Sequence, residues 1–250
     1  MYYLSGIFVP FLTFVNTSEA KKPQSYGRLR DVSMKSFRLR AGKFIALVHN
    51  HMIQLDIIQT PAQKTGIFSR LPLETERLNI REFQLADAES LYELHRDPRA
   101  TRYAGGTRTK DESFSALGRI INRARQTGFG SFALQLRQSG DLIGWAGIQQ
   151  LPESTRFELL YALRPVFWGK GFATEASEQL LKAAFTLESD PLTEIHALVF
   201  PQNIASIRVL EKLGLSFTKH QFDVLTQRYA CLYTITAAEF FRQSNLRYPN

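Results

Sequence analysis

Two stretches of the chain hold residue types at spacings that suit chemistry. The first is Pro165-Val-Phe-Trp-Gly-Lys-Gly-Phe-Ala-Thr-Glu-Ala176. It follows an alternating apolar run, 156–163, and leads into an amphipathic segment, 174–187. Read as strand, glycine loop and helix, it sets Gly169, Gly171 and Ala173 where a helix begins. Free backbone N–H groups and the positive end of the helix dipole meet there, which suits a phosphate. The glycines let the backbone approach an anion with no Cβ between them, and Lys170 adds charge at the rim. A tight strand-to-helix turn that simply needs glycine would read the same way. The loop lacks the Gly-x-x-x-x-Gly-Lys-Ser/Thr of nucleoside-triphosphate sites. The Gly-x-Gly-x-x-Gly spacing fails as well, because Thr174 stands where the third glycine would be.

The second stretch is Val199-Phe-Pro-Gln-Asn203-Ile-Ala-Ser206-Ile-Arg-Val-Leu-Glu211-Lys-Leu-Gly214-Leu. Asn203 suits the cap of a helix that Gly214 would end. In this order, the two stretches resemble the acetyl-CoA-binding blocks of the GCN5-related N-acetyltransferases, the GNAT superfamily. That family's pyrophosphate loop reads Gln/Arg-x-x-Gly-x-Gly/Ala. Here Trp168-Gly169-Lys170-Gly171-Phe172-Ala173 fits it, with Trp168 departing from Gln/Arg. The form Trp-Gly-Lys-Gly-aromatic-Ala-Thr-Glu-Ala is typical of the RimJ/RimL-type branch, which acetylates protein N-termini. The second stretch is similar to the family's Asn-x-x-Ser/Ala-x-x-x-Leu-Glu-Lys-x-Gly-Phe. Upstream, Glu74-Thr-Glu-Arg77-Leu-Asn-Ile-Arg81 resembles its opening strand.

The resemblance implies an α/β GNAT acyl-CoA N-acyltransferase fold, a mixed and mostly antiparallel sheet with flanking helices. It implies acetyl-CoA as co-substrate and no metal. The cofactor-binding set would be Ala162, Leu163 and Arg164 beside the pantetheine, the loop residues Trp168, Gly169, Lys170, Gly171, Phe172, Ala173 and Thr174 on the pyrophosphate, and Asn203 beside the arm. Glu158 occupies the central strand where some relatives carry a catalytic glutamate, and is the candidate base or water-positioning group. A salt-bridged or solvated strand carboxylate is the plainer reading. Many relatives place an acid tyrosine seven residues after the capping asparagine, where this chain has Leu210. In the RimJ/RimL branch the serine three after the asparagine takes that place, here Ser206. A first-turn hydroxyl bonded to backbone is its plainer reading, and Tyr161 is a further option for the acid.

The elements that must position these residues follow from pattern. Leu78 and Ile80 share one face of an opening strand. Residues 87–95 carry apolar positions at helical spacing, and Asp97-Pro98 stops that helix. Residues 99–108 read as a loop. Thr109-Lys-Asp-Glu112 is a capping box that opens a helix ended by Gly128. By the resemblance, these two helices and their loop form part of the acceptor wall. Three strands, 129–137, 142–151 and 156–163, form a meander. Its last strand would splay from a parallel neighbour, 194–200, to admit the pantetheine. A strand pair, 216–222 and 228–236, and a helix capped by Thr236 and Glu239 close the domain.

The chain has 250 residues, 44% hydrophobic and 22% charged, enough to bury a sizeable core. Its net charge of +8 is uneven. Residues 1–70 hold ten Lys/Arg against three Asp/Glu, which leaves the remainder nearly neutral and excludes a uniformly basic nucleic-acid binder. Cys231 stands alone, so no intrachain disulfide forms, and the five histidines make no Cys/His cluster for zinc. This fits a reducing, cytoplasmic setting. The apolar start has no basic residue before it and is broken by Pro10, so neither a signal peptide nor a membrane span is expected. Residues 1–72 are expected to be a poorly ordered extension and 73–243 the N-acetyltransferase domain. The expected reaction is acetyl transfer to a primary amine, most simply a protein N-terminus such as that of a ribosomal protein. A polyamine or antibiotic acceptor, and a non-catalytic acyl-CoA-binding regulatory module, are the alternatives.

Overall fold

The computed structural model describes residues 2–4, 7–9, 65–151, 154–223 and 227–243. At the start of the chain, β1 (Tyr2–Leu4) and β2 (Ile7–Val9) pair antiparallel. The domain is built on an eight-stranded sheet of order β3-β4-β5-β6-β7-β8-β10-β9. Its strands are β3 (Leu73–Glu74), β4 (Leu78–Arg81), β5 (Gly130–Leu136), β6 (Leu142–Gln150), β7 (Phe157–Leu163), β8 (Glu194–Val199), β9 (Ser216–Asp223) and β10 (Arg228–Thr236). Every neighbouring pair is antiparallel except β7–β8, which is parallel. This is the mixed, mostly antiparallel sheet the sequence implied.

Side chains alternate across a strand, so the sheet covers two cores. On one face, Leu159 and Leu163 of β7 pack with Leu180, Leu181 and Phe185 of α4 (Phe172–Phe185). Leu210 of α5 (Ile204–Lys212) and Phe240 of α6 (Ala237–Gln243) complete that core. On the other face, Leu160 and Ala162 lie against a cluster of Trp145, Leu91, Leu94, Leu117 and Ile121. Those residues bring in α1 (Ala88–His95) and α3 (Lys110–Thr127). The reciprocal cap at Thr109 and Glu112 is present, and Gly128 ends α3 in the left-handed region. Among the described residues no helix is long and apolar enough to cross a membrane.

Three differences from the sequence reading have identifiable causes, two local and one tertiary. Residues 99–101, read as the start of a loop, form with Pro98 a short helix α2 (Pro98–Thr101). The Asp97 side chain accepts from the Arg99 N–H, and Pro98 sits at the first helical position, where it needs no donor. Helix α4 begins at Phe172 rather than Thr174, because Gly171 with φ of 83° is its cap. The packed structure also reaches back ahead of residue 73. Ile67 is wholly buried in the first core. Arg70 donates to the carbonyls of Ala183 and Thr186 at the C-terminal end of α4, where a cation suits the dipole. The rest of the expected extension lies outside the described residues, apart from β1 and β2.

Packing of α1 on α3 buries a histidine. His95 Nδ1 lies 2.9 Å from Ser113 Oγ in a buried contact. Burial, with the nearby Arg108 cation, pushes its pKa down to about 3. In the unfolded chain it would titrate near 6.5, so between these values the unfolded state binds the extra proton and stability rises with pH. The loss on acidification therefore begins near pH 6.5 and continues toward pH 3, at up to about 1.4 kcal/mol per pH unit. Denaturant melts across this range are expected to fall more steeply for the native chain than for His95→Gln.

Candidate active site

The glycine loop is held by its own backbone and by a distant strand. Phe167 N–H donates to Arg164 O and Trp168 N–H to Pro165 O, forming a single tight turn after β7. The Trp168 indole N–H donates 2.8 Å to Leu163 O. Trp168 therefore braces the loop against the end of β7, with its ring half exposed. Gly169 and Gly171 have φ of 72° and 83°, values that favour glycine. No side chain caps α4, and its first internal bond runs from Glu175 N–H to Gly171 O. The N–H groups of Phe172, Ala173 and Thr174 thus have no partner within the helix. A Cβ built on Gly169 meets no atom within 4 Å, so the outer side of the loop is open to a ligand. Phe172 turns its ring into the core. Lys170 Nζ and Arg164 Cζ both stand about 5–6 Å from the Phe167 ring centre, which gathers two cations at the rim.

A clamp between the β3–β4 turn and α4 fixes this loop, and the sequence reading missed it. Glu175 Oε1 accepts from Thr75 Oγ1 at 2.6 Å and from Arg77 N–H at 2.8 Å, while Oε2 accepts from Arg77 Nε at 2.7 Å. Arg77 Nη1 also donates to Lys170 O, and its guanidinium stacks 4.5 Å from the Phe172 ring centre. Burial pushes the Glu175 carboxyl up, but the bonds from Thr75 and Arg77 outweigh it and hold it below the usual range. Sequence places Arg77 on a strand face and Glu175 in a helix first turn. Nothing in their separation of nearly a hundred residues says that they meet.

Beside the loop, β7 and β8 share one register pair, Glu158 with His196, and none beyond it. From Leu160 onward β7 keeps its antiparallel partner β6 but has no β8 partner, so the strands diverge toward the loop. Ala162, Leu163 and Arg164 line the divergent end of β7. Arg164 N–H is taken by Ile143 O, and the Leu163 carbonyl by Trp168. Asn203 caps α5 as read, with Oδ1 accepting from Ser206 N–H at 3.3 Å. Tyr161 reaches across the gap, its hydroxyl donating 3.2 Å to Ser206 O. Burial pushes the Tyr161 phenol up to about 12, against the bond to Ser206, so it stays protonated.

The structure thus brings Tyr161, Asn203 and Ser206 together on the α4–α5 side of the gap. Glu158 stands on the opposite face, in register with Gln149 of β6 and His196 of β8. His196, unremarked in the sequence, is buried, with Nε2 2.8 Å from Glu194 Oε1. Burial lowers its pKa against the pull of Glu194. The alternating pattern of 194–199 shows a strand, but the register that sets His196 beside Glu158 is tertiary. Cys231 is buried on β10, with its sulfur 3.6 Å from His220 Nδ1. Among the described residues there is no group of three or more His, Cys, Asp or Glu suited to a metal.

An open glycine loop, a helix N-terminus and a parallel pair that splays form the architecture of an acyl-CoA site. The chain matches the acetyltransferase (GNAT) domain over residues 77–216. It belongs to the GNAT acetyltransferase family. The match takes in Arg77 and Glu175 of the clamp, the loop and the capped helix α5. This GNAT chain is 36% identical over 150 residues to the uncharacterized N-acetyltransferase p20 of Bacillus licheniformis, covering 59% of the chain and 82% of that protein. Among solved structures, an acetyltransferase from Agrobacterium tumefaciens superposes with a TM-score of 0.57 at 26% identity, covering 65% of this chain and 92% of that one. A putative ribosomal-protein-serine acetyltransferase from Vibrio cholerae superposes with a TM-score of 0.56 at 18% identity, over 65% and 95%, a likeness of fold alone. The enzyme is an acetyl-CoA-dependent N-acetyltransferase, as the resemblance implied.

A negative side chain in the loop should oppose the pyrophosphate. Gly169→Glu meets no neighbouring atom but must adopt a φ of 72°, so it is expected to fold with a somewhat lower melting temperature and to weaken acetyl-CoA binding at least tenfold by titration calorimetry. Gly171→Glu should do the same with a larger fall in melting temperature, because its Cβ would also stand 3.3 Å from Arg77 Nη2.

Proposed function

We propose that this GNAT enzyme acetylates a protein N-terminal amine, with Glu158 handling the proton of the attacking amine and Ser206 supporting the departing thiolate. The observation that carries the chemistry is the divergence of β7 and β8 above the Glu158–His196 pair. It supplies a slot whose wide end meets the glycine loop and whose narrow end holds a carboxylate. The pyrophosphate would rest on the loop N–H groups of residues 169–174, with Trp168 bracing them. The pantetheine would run beside Ala162, Leu163 and Arg164, past Asn203. The acceptor side rests on the Trp-Gly-Lys-Gly-Phe-Ala-Thr-Glu-Ala form of the loop, typical of the RimJ/RimL branch.

An ammonium must shed its proton before its nitrogen lone pair can attack the thioester carbonyl. Glu158 takes that proton directly or through a water. The C–N bond forms, the C–S bond breaks, and the sulfur leaves as thiolate or takes a proton from the far side of the gap. The Ser206 hydroxyl lies in the first turn of α5, beside the cap. Tyr161 is a second candidate donor, supported by its protonated phenol and its hydrogen bond to Ser206 O. Holding the two substrates in line supplies much of the acceleration, and no acyl-enzyme is needed.

Ser206→Ala is expected to lower kcat by roughly 10²–10⁴ while leaving acetyl-CoA binding nearly intact, since a proton donor matters most as charge develops on sulfur. Asn203→Ala should instead raise KM and lower the melting temperature by removing the α5 cap. A Ser206→Ala enzyme with native kcat would pass the role to Tyr161. CoA release measured over a panel of N-terminal peptides, polyamines and aminoglycosides tests the acceptor, with peptides expected to be turned over most efficiently.

A further inference from the structure

On the Glu158 face of the sheet, two arginines are withdrawn from water without a partner to neutralise them. Arg108 precedes the cap of α3, with its N–H bonded to His95 O, and Arg119 lies in the middle of that helix. Both are half-buried. Arg119 Nε is fully buried with no hydrogen-bond acceptor. Among the described residues neither guanidinium has a salt bridge or a hydrogen-bonded side chain. Glu112 is the acidic group that acts on Arg108. Its carboxylate, however, already accepts from the N–H and hydroxyl of Thr109 in the capping box. Burial lowers the pKa of both arginines, and the Arg119 charge lowers that of Arg108 further, so the two cations repel. A half-buried cation facing another is costly unless an anion joins it.

Two anchors place this pair. One turn beyond Arg119 on α3, Arg123 Nη2 donates 2.8 Å to Gln150 O at the end of β6, next to Gln149, the register partner of Glu158. At the other side, the loop that leads into Arg108 is tied down by Tyr103, whose hydroxyl donates 3.1 Å to Gln202 O beside the α5 cap. Its ring stacks 6.1 Å from that of Phe200, just past β8. Between these anchors, α3 and its leading loop bridge the face of the sheet where β7 and β8 part. Arg108 and Arg119 fall between them.

We propose that Arg108 and Arg119 form an oxyanion-binding subsite of the acceptor pocket, so that the amine acetylated carries a carboxylate or phosphate close to its reacting nitrogen. Paired guanidiniums suit the planar, multidentate demand of either group. For a protein N-terminus this means an acidic side chain within the first residues. The inference rests on the acetyl transfer proposed above and selects among its acceptors.

The test uses the full chain and matched acceptors that differ by one anionic group. These are the peptides Ser-Glu-Ala-Ala and Ser-Gln-Ala-Ala, both amidated, and phosphoethanolamine against ethanolamine. The native enzyme is expected to prefer the anionic member of at least one pair by roughly 10–100-fold in kcat/KM, mostly through KM. The pair that shows it separates carboxylate from phosphate. In Arg108→Gln and Arg119→Gln that ratio should fall toward one, while Arg96→Gln, exposed on α1 and paired with Glu93, should keep it. A binding readout stands apart from turnover. Inorganic phosphate, against chloride at equal ionic strength, should raise the melting temperature of the native chain more than that of Arg108→Gln or Arg119→Gln. Any rise shared by all belongs to the glycine loop. Equal use of neutral and anionic acceptors, or a preference that survives both substitutions, overturns the subsite. Absence of turnover with every amine, together with a phosphate shift lost in both variants, would sink the acetyl-transfer reading and leave the anion site standing.

Discussion

Glu175 joins three parts of the chain that the reaction needs in fixed relation. Its carboxylate gathers Thr75 and Arg77 from the turn between β3 and β4 onto the first turn of α4, and Arg77 passes on to the carbonyl of Lys170 inside the loop. The Arg77 side chain is 43% exposed and that of Glu175 16%, so Coulomb attraction alone is worth little at this surface. The weight lies in the convergent hydrogen bonds to a mostly buried carboxylate. They hold the start of α4, and with it the N–H groups of its first turn, which the proposed pyrophosphate contact would use, in place above the sheet. A loop that must present backbone donors gains nothing from being flexible, because each donor has to be aimed before the ligand arrives.

The same economy shapes the gap between β7 and β8. A sheet that paired these strands throughout would satisfy their backbone and close the site. One register pair keeps the strands together at Glu158 and His196, and the divergence above leaves β7 with backbone groups for a ligand. The cost is met by packing on both faces. Leu159 and Leu163 are sealed against α4, and Leu160 and Ala162 against the α1–α3 cluster. The Tyr161 hydroxyl spans the opening to Ser206 O and ties α5 to β7 across it. The acid and base candidates therefore approach the slot from opposite faces of one sheet.

On the α1–α3 face of the sheet, polar groups are held in place rather than neutralised. His95 is kept uncharged by burial next to Arg108, and Arg108 and Arg119 keep their charge without a carboxylate of their own. Such an arrangement lowers stability, and an anion bound as proposed would offset that loss.

Much of this was legible in the sequence because it is local. The strands follow from period-two alternation, and the α3 and α6 caps from Thr-x-x-Glu. The glycine loop follows from two glycines ahead of a helix, and the Asn203 cap from its place before Ile204. Each depends on residues within about a turn of one another, where chain connectivity fixes the geometry. The Glu175 clamp, the pairing of Glu158 with His196, the Tyr161 bridge to Ser206, the burial of Ile67 and the meeting of Arg108 with Arg119 were decided by the tertiary structure alone. All but the last join segments far apart in the chain, and the last depends on how α1 and α3 pack. Sheet register and helix packing select such partners, and composition or spacing does not encode them.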